Sequence, residues 1–315
     1  MEFLYFLQSL RCPALDAIFA LITHGGEETV FMAVGMIVFW CINKYQGYYL
    51  LCVGFLGTVI NQFLKMLCRV PRPWVKDPNF PIVESARAEA TGYSFPSGHT
   101  QTSVGLYGGI ARMTKNTVIR VVTIALCVLI PFSRLYLGVH TPADVLTSIA
   151  IATALVFLVY PIFQKGATNP RVMYAILGSF LILISLFVGF VALYPFPAEV
   201  YAPDAIQNLE SAQKNAATLF GCAVGLIVAY TVDLKWIHFE TRAVWWAQII
   251  KAVVGLGLVL AAKELLRAPL EFLLGNVLVA RGVRYFIVVL VGGILWPMTF
   301  GFFAKLGVKK KEAEN

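Results

Sequence analysis

Histidine is scarce in this chain, with four among 315 residues. Two of the four lie in segments whose neighbours suit work on a phosphate group. The segments are Lys65-x6-Arg72-Pro73, Pro96-Ser97-Gly98-His99 and Ser133-Arg134-x5-His140-x3-Asp144. Phosphoryl transfer spreads charge over three equatorial oxygens, so it depends on positioned positive donors. Lys65, Arg72 and Arg134 supply three, two of them with the planar fork that matches phosphate oxygens. The Ser97-Gly98 turn precedes a helix predicted to begin near His99. It adds a hydroxyl and main-chain N–H groups at a helix N-terminus, a place that attracts phosphate, and Gly98 lets the backbone approach a ligand closely.

A nucleophile and a proton donor complete the set. His140 and Asp144 are four apart and share one face of a helical turn. Asp144 can therefore hold one ring nitrogen of His140 and leave the other free to attack. Pro142, between them, suits the first turn of a helix. His99 is then the acid that protonates a leaving oxygen and the base that activates water. No carboxylate cluster and no His/Cys group has metal-ligand spacing, so the expected chemistry uses no metal and no cofactor. A lone arginine can simply snorkel and a lone histidine can be a core residue; His24 and His238 are read that way. Six charged and imidazole groups gathered in three segments are read as functional, because ionisable groups at membrane depth are costly.

The elements that carry these segments are membrane helices. The chain is 59% hydrophobic and 13% charged, with a mean hydropathy of +0.76, against about 25% charged in soluble domains. Continuous apolar runs, rather than runs alternating with period two, point to an all-α polytopic membrane protein and away from a β-barrel. Phe3 to Thr23, broken by Arg11, Pro13 and Asp16, is predicted as interfacial or partly inserted. Spans follow at Thr29–Ile42, Gly47–Met66, Gln101–Met113, Val118–Leu137 and Val145–Phe163. A second group covers Val172–Tyr194, Ala216–Val232, Ala243–Ala262 and Tyr285–Ala304. Two long connections, Arg69–Pro96 and the acidic Pro195–Lys214 with Glu199, Asp204 and Glu210, stand between spans. Gly221-x-x-x-Gly225 has the spacing of a close helix approach, though glycine is common in such helices.

The net charge of +8 comes without an arginine-rich strip, so nucleic acid is not an expected partner; membrane lipids are. Lysine and arginine retained on the cytoplasmic side account for the excess. Lys44, Arg112, Lys115, Arg120, Lys165, Arg171, Lys235, Arg242 and Lys309–Lys311 fall on one side. The Arg69–Pro96 connection, the Arg134–Asp144 region, the acidic loop and Lys263–Arg284 fall on the other, which the count, with Lys65, Arg72 and Arg134 set aside, places outside a cytoplasmic membrane. No cleavable signal peptide is recognised. The six cysteines are read as small buried hydrophobes, and Lys251, deep in an apolar run, as either paired or snorkelling.

The segments KMLCRVPRP, PSGH and SRLYLGVHTPAD resemble the signature of the type 2 phosphatidic acid phosphatase family, within the acid phosphatase and vanadium haloperoxidase superfamily. The resemblance covers residues 1–165 and implies a six-helix core that hydrolyses lipid phosphates or pyrophosphates without metal and binds vanadate as a phosphate mimic. By that resemblance His140 is the nucleophile, Asp144 its orienting partner and His99 the acid/base. Lys65, Arg72, Ser97, Gly98 and Arg134 hold the phosphate. Residues 166–315, with about four further spans, depart from the minimal family pattern and resemble the longer bacterial members and, more loosely, sphingoid-base phosphate phosphatases. They offer either a lipid slot or a contact with a second copy. Trp74, Phe80, Tyr93 and Phe95 are either lipid-chain contacts or interfacial anchors. Transfer of the phosphoryl group to another alcohol, or carriage without catalysis, are the alternatives to hydrolysis.

Overall fold

The computed structural model describes residues 1–194 and 203–306. Among them all regular structure is helical. The helices are α1 (Glu2–Ser9), α2 (Pro13–Thr23), α3 (Glu28–Ile37), α4 (Lys44–Cys68), α5 (Pro73–Lys76), α6 (Gly98–Met113) and α7 (Thr117–Tyr136). They continue with α8 (Pro142–Thr168), α9 (Pro170–Ala192), α10 (Pro203–Val232), α11 (Trp245–Leu265), α12 (Arg267–Leu274), α13 (Val277–Leu290) and α14 (Phe300–Lys305). Among the described residues, six segments are long and apolar enough to cross a membrane: Lys44–Lys76, Thr117–Tyr136, Pro142–Thr168, Pro170–Ala192, Ala205–Ile237 and Val277–Lys305. The chain is a polytopic all-α membrane protein.

Sequence breaks become structural ones. The helices on either side of Leu10–Cys12 meet at a bend of 120°, where Pro13 starts a new helix whose first N–H is dispensable. Asn116 caps α7 through the N–H of Ile119 at 3.1 Å, and Asn169 caps α9 through that of Arg171 at 3.0 Å, each satisfying an orphan donor. Some expected boundaries move. The Lys263–Arg284 connection is not a loop, since α12 and most of α13 lie within it, and helix α10 begins at Pro203. Both segments mix charge into helical periodicity, which lowers hydropathy without breaking the helix. Glu199 and Lys309–Lys311 lie outside the described residues, as does the side chain of Asp204.

The chain forms two compact units. The first comprises Met1–Met32, Leu50–Pro161 and Tyr194–Ala212. Here α2 packs on α7, with Phe19 against Phe132 and Tyr136. The connection after α4 folds back on itself: Leu4, Phe80 and Ile82 form one buried cluster, and Ala86, Ala90, Tyr136, Leu137 and Val139 another. Phe80 is therefore a core residue, only 2% exposed, and not a lipid contact.

The second unit comprises Ala33–Tyr49, Ile162–Leu193 and Gln213–Asn315, of which residues through 306 are described. Helices α10 and α13 pass at Gly221 and Gly225. A Cβ on Gly221 would meet the carbonyl oxygen of Gly282 at 2.0 Å, and one on Gly225 would meet Val289 Cβ at 2.8 Å. The close-approach spacing is thus used as such. Lys251 is fully buried. Its Nζ donates to Thr241 O at 2.9 Å and lies 4.1 Å from the centre of the Phe300 ring, so it is paired and does not snorkel. Of the six free cysteines only Cys52 and Cys222 are buried; Cys12 and Cys68 are exposed.

Candidate active site

The three sequence segments come together in the first unit. Helix α4 carries Lys65 in its last turns, and Arg72 stands at the N-cap of α5. Ser97 caps α6, with its Oγ accepting from Thr100 N at 3.4 Å; its hydroxyl is engaged with its own helix. Arg134 sits in the last turn of α7 and Asp144 in the first turn of α8. His140 occupies the short link between those two helices, which places both ends of the third segment on one bend.

Lys65, Arg72, Arg134, His140 and Asp144 are all buried, none more than 6% exposed. Burying that much charge demands partners, and the backbone of the long connection provides them. Arg72 donates from Nε to Gly92 O at 3.0 Å, from Nη2 to Thr91 O at 2.6 Å and from Nη1 to Val139 O at 3.0 Å. Lys65 Nζ donates to Tyr93 O. Arg134 Nη1 donates to Thr23 Oγ1 at 2.7 Å, while its Nε and Nη2 have no hydrogen-bond partner among the described residues. Two buried guanidinium donors left over in this way are available to an anion.

The state of His140 follows from its neighbours. Arg72 Nη1 lies 3.0 Å from His140 Nε2. Arginine only donates, so Nε2 must be the unprotonated nitrogen. The proton is then on Nδ1, which faces Asp144 Oδ2 at 3.4 Å without a hydrogen bond to it. That carboxylate oxygen is held in turn by Ser94 Oγ at 2.6 Å and by Thr141 N at 2.8 Å. Ser97 N donates to Asp144 O at 3.1 Å, and Ser148 Oγ donates to Ser97 O at 2.9 Å, tying the second segment to the third. Burial, and then the charges of Arg72, Arg134 and Lys65, hold His140 well below the ordinary histidine range. The ring is neutral, with a lone pair on Nε2.

His99, in the first turn of α6, does not hydrogen-bond Asp144 or His140. Its Nε2 lies 3.3 Å from Glu89 Oε2. Glu89 belongs to the long connection and was not singled out by the sequence reading, nor were Thr23 and Ser94. Thr23 and Glu89 lie outside the three segments and are brought in by the fold, whereas Ser94 stands two residues before Pro96. His24 and His238 are both exposed, so neither is the core residue expected.

The N-terminal bend braces this site. Arg11 donates to Tyr136 O at 2.9 Å and to Pro81 O at 2.7 Å, and Tyr136 donates to Asp16 Oδ1 at 2.9 Å. Arg11 and Asp16, the two charges that break the first apolar run, are therefore structural ties to the loop leading to His140. Gly138 in that loop has φ +80°, and a Cβ there would fall 2.5 Å from Arg11 Nη2, so only glycine fits.

Residues 45–167 match the PAP2 superfamily, and residues 217–311 match the transmembrane extension of PAP2 superfamily phosphatases. The chain is 31% identical over 150 residues to an undecaprenyl-diphosphatase of Bacillus subtilis, covering 46% of this chain and 74% of that protein. It is 28% identical over 172 residues to phosphatidylglycerophosphatase B of the same bacterium, covering 50% and 79% respectively. A probable sphingosine-1-phosphate phosphatase of Dictyostelium discoideum is 26% identical over 252 residues, 74% of this chain and 56% of its own. The crystal structure of a transmembrane PAP2-type phosphatidylglycerolphosphate phosphatase from Bacillus subtilis is 26% identical. Its TM-score is 0.44, over 52% of this chain and 84% of that one. By its sequence the chain belongs to the PAP2 superfamily and carries that superfamily's transmembrane extension.

Proposed function

We propose that the protein is a membrane lipid phosphatase that hydrolyses a lipid phosphate or pyrophosphate monoester through a phosphohistidine on His140, without a metal. The observation that carries this reading is the placement of His140: a buried ring with Nδ1 toward Asp144 and Nε2 3.0 Å from the Arg72 donor. Binding alone needs no such nucleophile. The phosphate is held by Lys65, Arg72 and Arg134 and by the N-terminus of α6 at Ser97 and Gly98. An arriving phosphate oxygen takes over the Arg72 donor and uncovers the Nε2 lone pair. Nε2 attacks phosphorus while the bond to the leaving oxygen breaks, and His99 gives that oxygen its proton. Asp144 stabilises the charge that develops on the His140 ring. His99, now a base, takes a proton from water, which cleaves the phosphohistidine and releases inorganic phosphate.

A lipid substrate is supported by the relatives, whose names state lipid phosphates and diphosphates as substrates, and by an apolar groove in the first unit. The groove, about 680 Å3, is lined by Val104, Ile124, Val128, Leu135, Val145 and Val156 among others. Leu135 and Val145 in its lining are the chain neighbours of Arg134 and Asp144, and Arg112 and Arg120 also line it. On the lysine and arginine count the site faces outward from a bacterial cytoplasmic membrane. Phosphate release by detergent-purified protein in chelator, over a panel of prenyl pyrophosphate, phosphatidic acid, phosphatidylglycerophosphate and sphingoid-base phosphate, tests the reading. Release that His140→Ala abolishes supports it. Label retained in an acceptor lipid instead of inorganic phosphate would replace hydrolysis by transfer.

A further inference from the structure

We propose that His24, Glu27 and Glu89 form a binding site for a divalent transition-metal cation of the zinc class, whose occupancy restrains His99. The three residues come from two distant parts of the chain. His24 opens the turn His24–Gly26, Glu27 follows it, and Glu89 lies in the long connection. One ligand atom from each, His24 Nδ1 and two carboxylate oxygens, lie within 4.8 Å of one another. His24 Nδ1 contacts Glu27 Oε1 and stands 3.5 Å from Glu89 Oε1. With zinc–ligand bonds of about 2.1 Å, tetrahedral neighbours are about 3.4 Å apart. The His24–Glu89 spacing already matches that edge.

The donor set selects the cation. One imidazole nitrogen with two carboxylate oxygens suits zinc and its neighbours, whereas magnesium and calcium prefer oxygen throughout. Three protein ligands leave a fourth position for water. The side chains are 53%, 30% and 32% exposed for His24, Glu27 and Glu89, so a cation reaches them from solvent without disturbing the core. Their frame is nevertheless fixed. Tyr107 donates to Gly25 O at 3.0 Å, and a Cβ on Gly26 would lie 3.0 Å from the carbonyl oxygen of His99. The turn is seated on the backbone of His99 itself.

Glu89 couples the two sites. Its Oε1 faces His24 and its Oε2 lies 3.3 Å from His99 Nε2. On the reading of His99 as proton donor, on which this coupling rests, Glu89 is the contact that holds the His99 ring. A cation that draws the Glu89 carboxylate to itself takes that contact away, and turnover falls. The site is thus inhibitory and separate from the chemistry, which uses no metal.

Calorimetric titration of the full detergent-purified chain with zinc chloride, without lipid, tests the site. The expected result is one zinc per chain, bound at least ~10-fold more weakly in His24→Ala and in Glu27→Gln. No stoichiometric binding, or binding unchanged in both variants, overturns the proposal. In phosphate-release assays both variants keep the basal rate and lose zinc inhibition. Equal inhibition of wild type and variants overturns the coupling to His99. Absence of turnover in every arm would sink the phosphatase reading and with it the coupling, while the calorimetric result would still decide the metal site.

Discussion

Asp144→Asn separates charge from shape at the centre of the site. Asparagine fills the same volume and can still accept from Ser94 Oγ and Thr141 N, which now lie 2.6 and 2.8 Å from Oδ2. It loses the negative charge 3.4 Å from His140 Nδ1, because the amide oxygen that takes the place of Oδ2 faces the ring as a neutral acceptor. At an effective dielectric near ~20, a full charge pair at that distance is worth about 5 kcal/mol. Only part of a full charge develops on the ring in the transition state. The expected loss in kcat is therefore about 10²–10³-fold, at ~1.4 kcal/mol per tenfold. Single-turnover phosphate release under saturating lipid measures the chemical step, and a thermal melt of the same preparation checks the fold. A folded Asp144→Asn protein that keeps kcat within tenfold would refute the claim that Asp144 carries the charge developing on His140.

The remaining predictions reach other parts of the account. His140 is held below the ordinary histidine range, so it stays neutral as pH falls through ~6.5 and loses its lone pair only at lower pH. The acid limb of kcat/KM should lie below that value. In Arg72→Met, which removes the largest electrostatic cause, the residual activity should show the limb shifted upward; a limb that stays put would contradict the assignment. Gly221→Ala puts a methyl 2.0 Å from the Gly282 oxygen, whereas Gly178 has nothing within 4 Å. The first should cost about 1–3 kcal/mol in thermal stability, while Gly178→Ala should be neutral or stabilising by up to ~1 kcal/mol. Lys251→Met removes the bond to Thr241 O and the cation over Phe300. It should lower stability by about 1–3 kcal/mol with kcat within twofold, and a large loss of kcat would give Lys251 a role it lacks here.

Much of this was readable from residue order because the chemistry is local. His140 and Asp144 are four apart, Pro142 starts the helix that holds the second, and Ser97 starts the helix that follows it. Such pairs are set by helical geometry alone. What escaped depends on distance in the chain. Glu89 reaches His99, Thr23 reaches Arg134 and Ser94 reaches Asp144 only because the long connection and the N-terminal bend fold over α7 and α8. Asp16 and Arg11 looked like interruptions of an apolar run, and they are ties to Tyr136 and Pro81. The helices in Lys263–Arg284 were missed for a different reason. Charge at helical spacing lowers hydropathy without weakening the helix. Phe80 illustrates the ambiguity of aromatics: its type fits lipid contact as well as core, and only packing against Leu4 and Ile82 decides.

The central claim is that His140 Nε2 becomes phosphorylated. The direct measurement is to quench a reaction with labelled lipid phosphate in base during the first turnovers, in chelator, and look for label on the protein. The account predicts an acid-labile, base-stable adduct on His140 that forms no more slowly than phosphate is released and vanishes in His140→Ala. Phosphate release at full rate with no labelled protein at any time, or release that persists in His140→Ala, would contradict it.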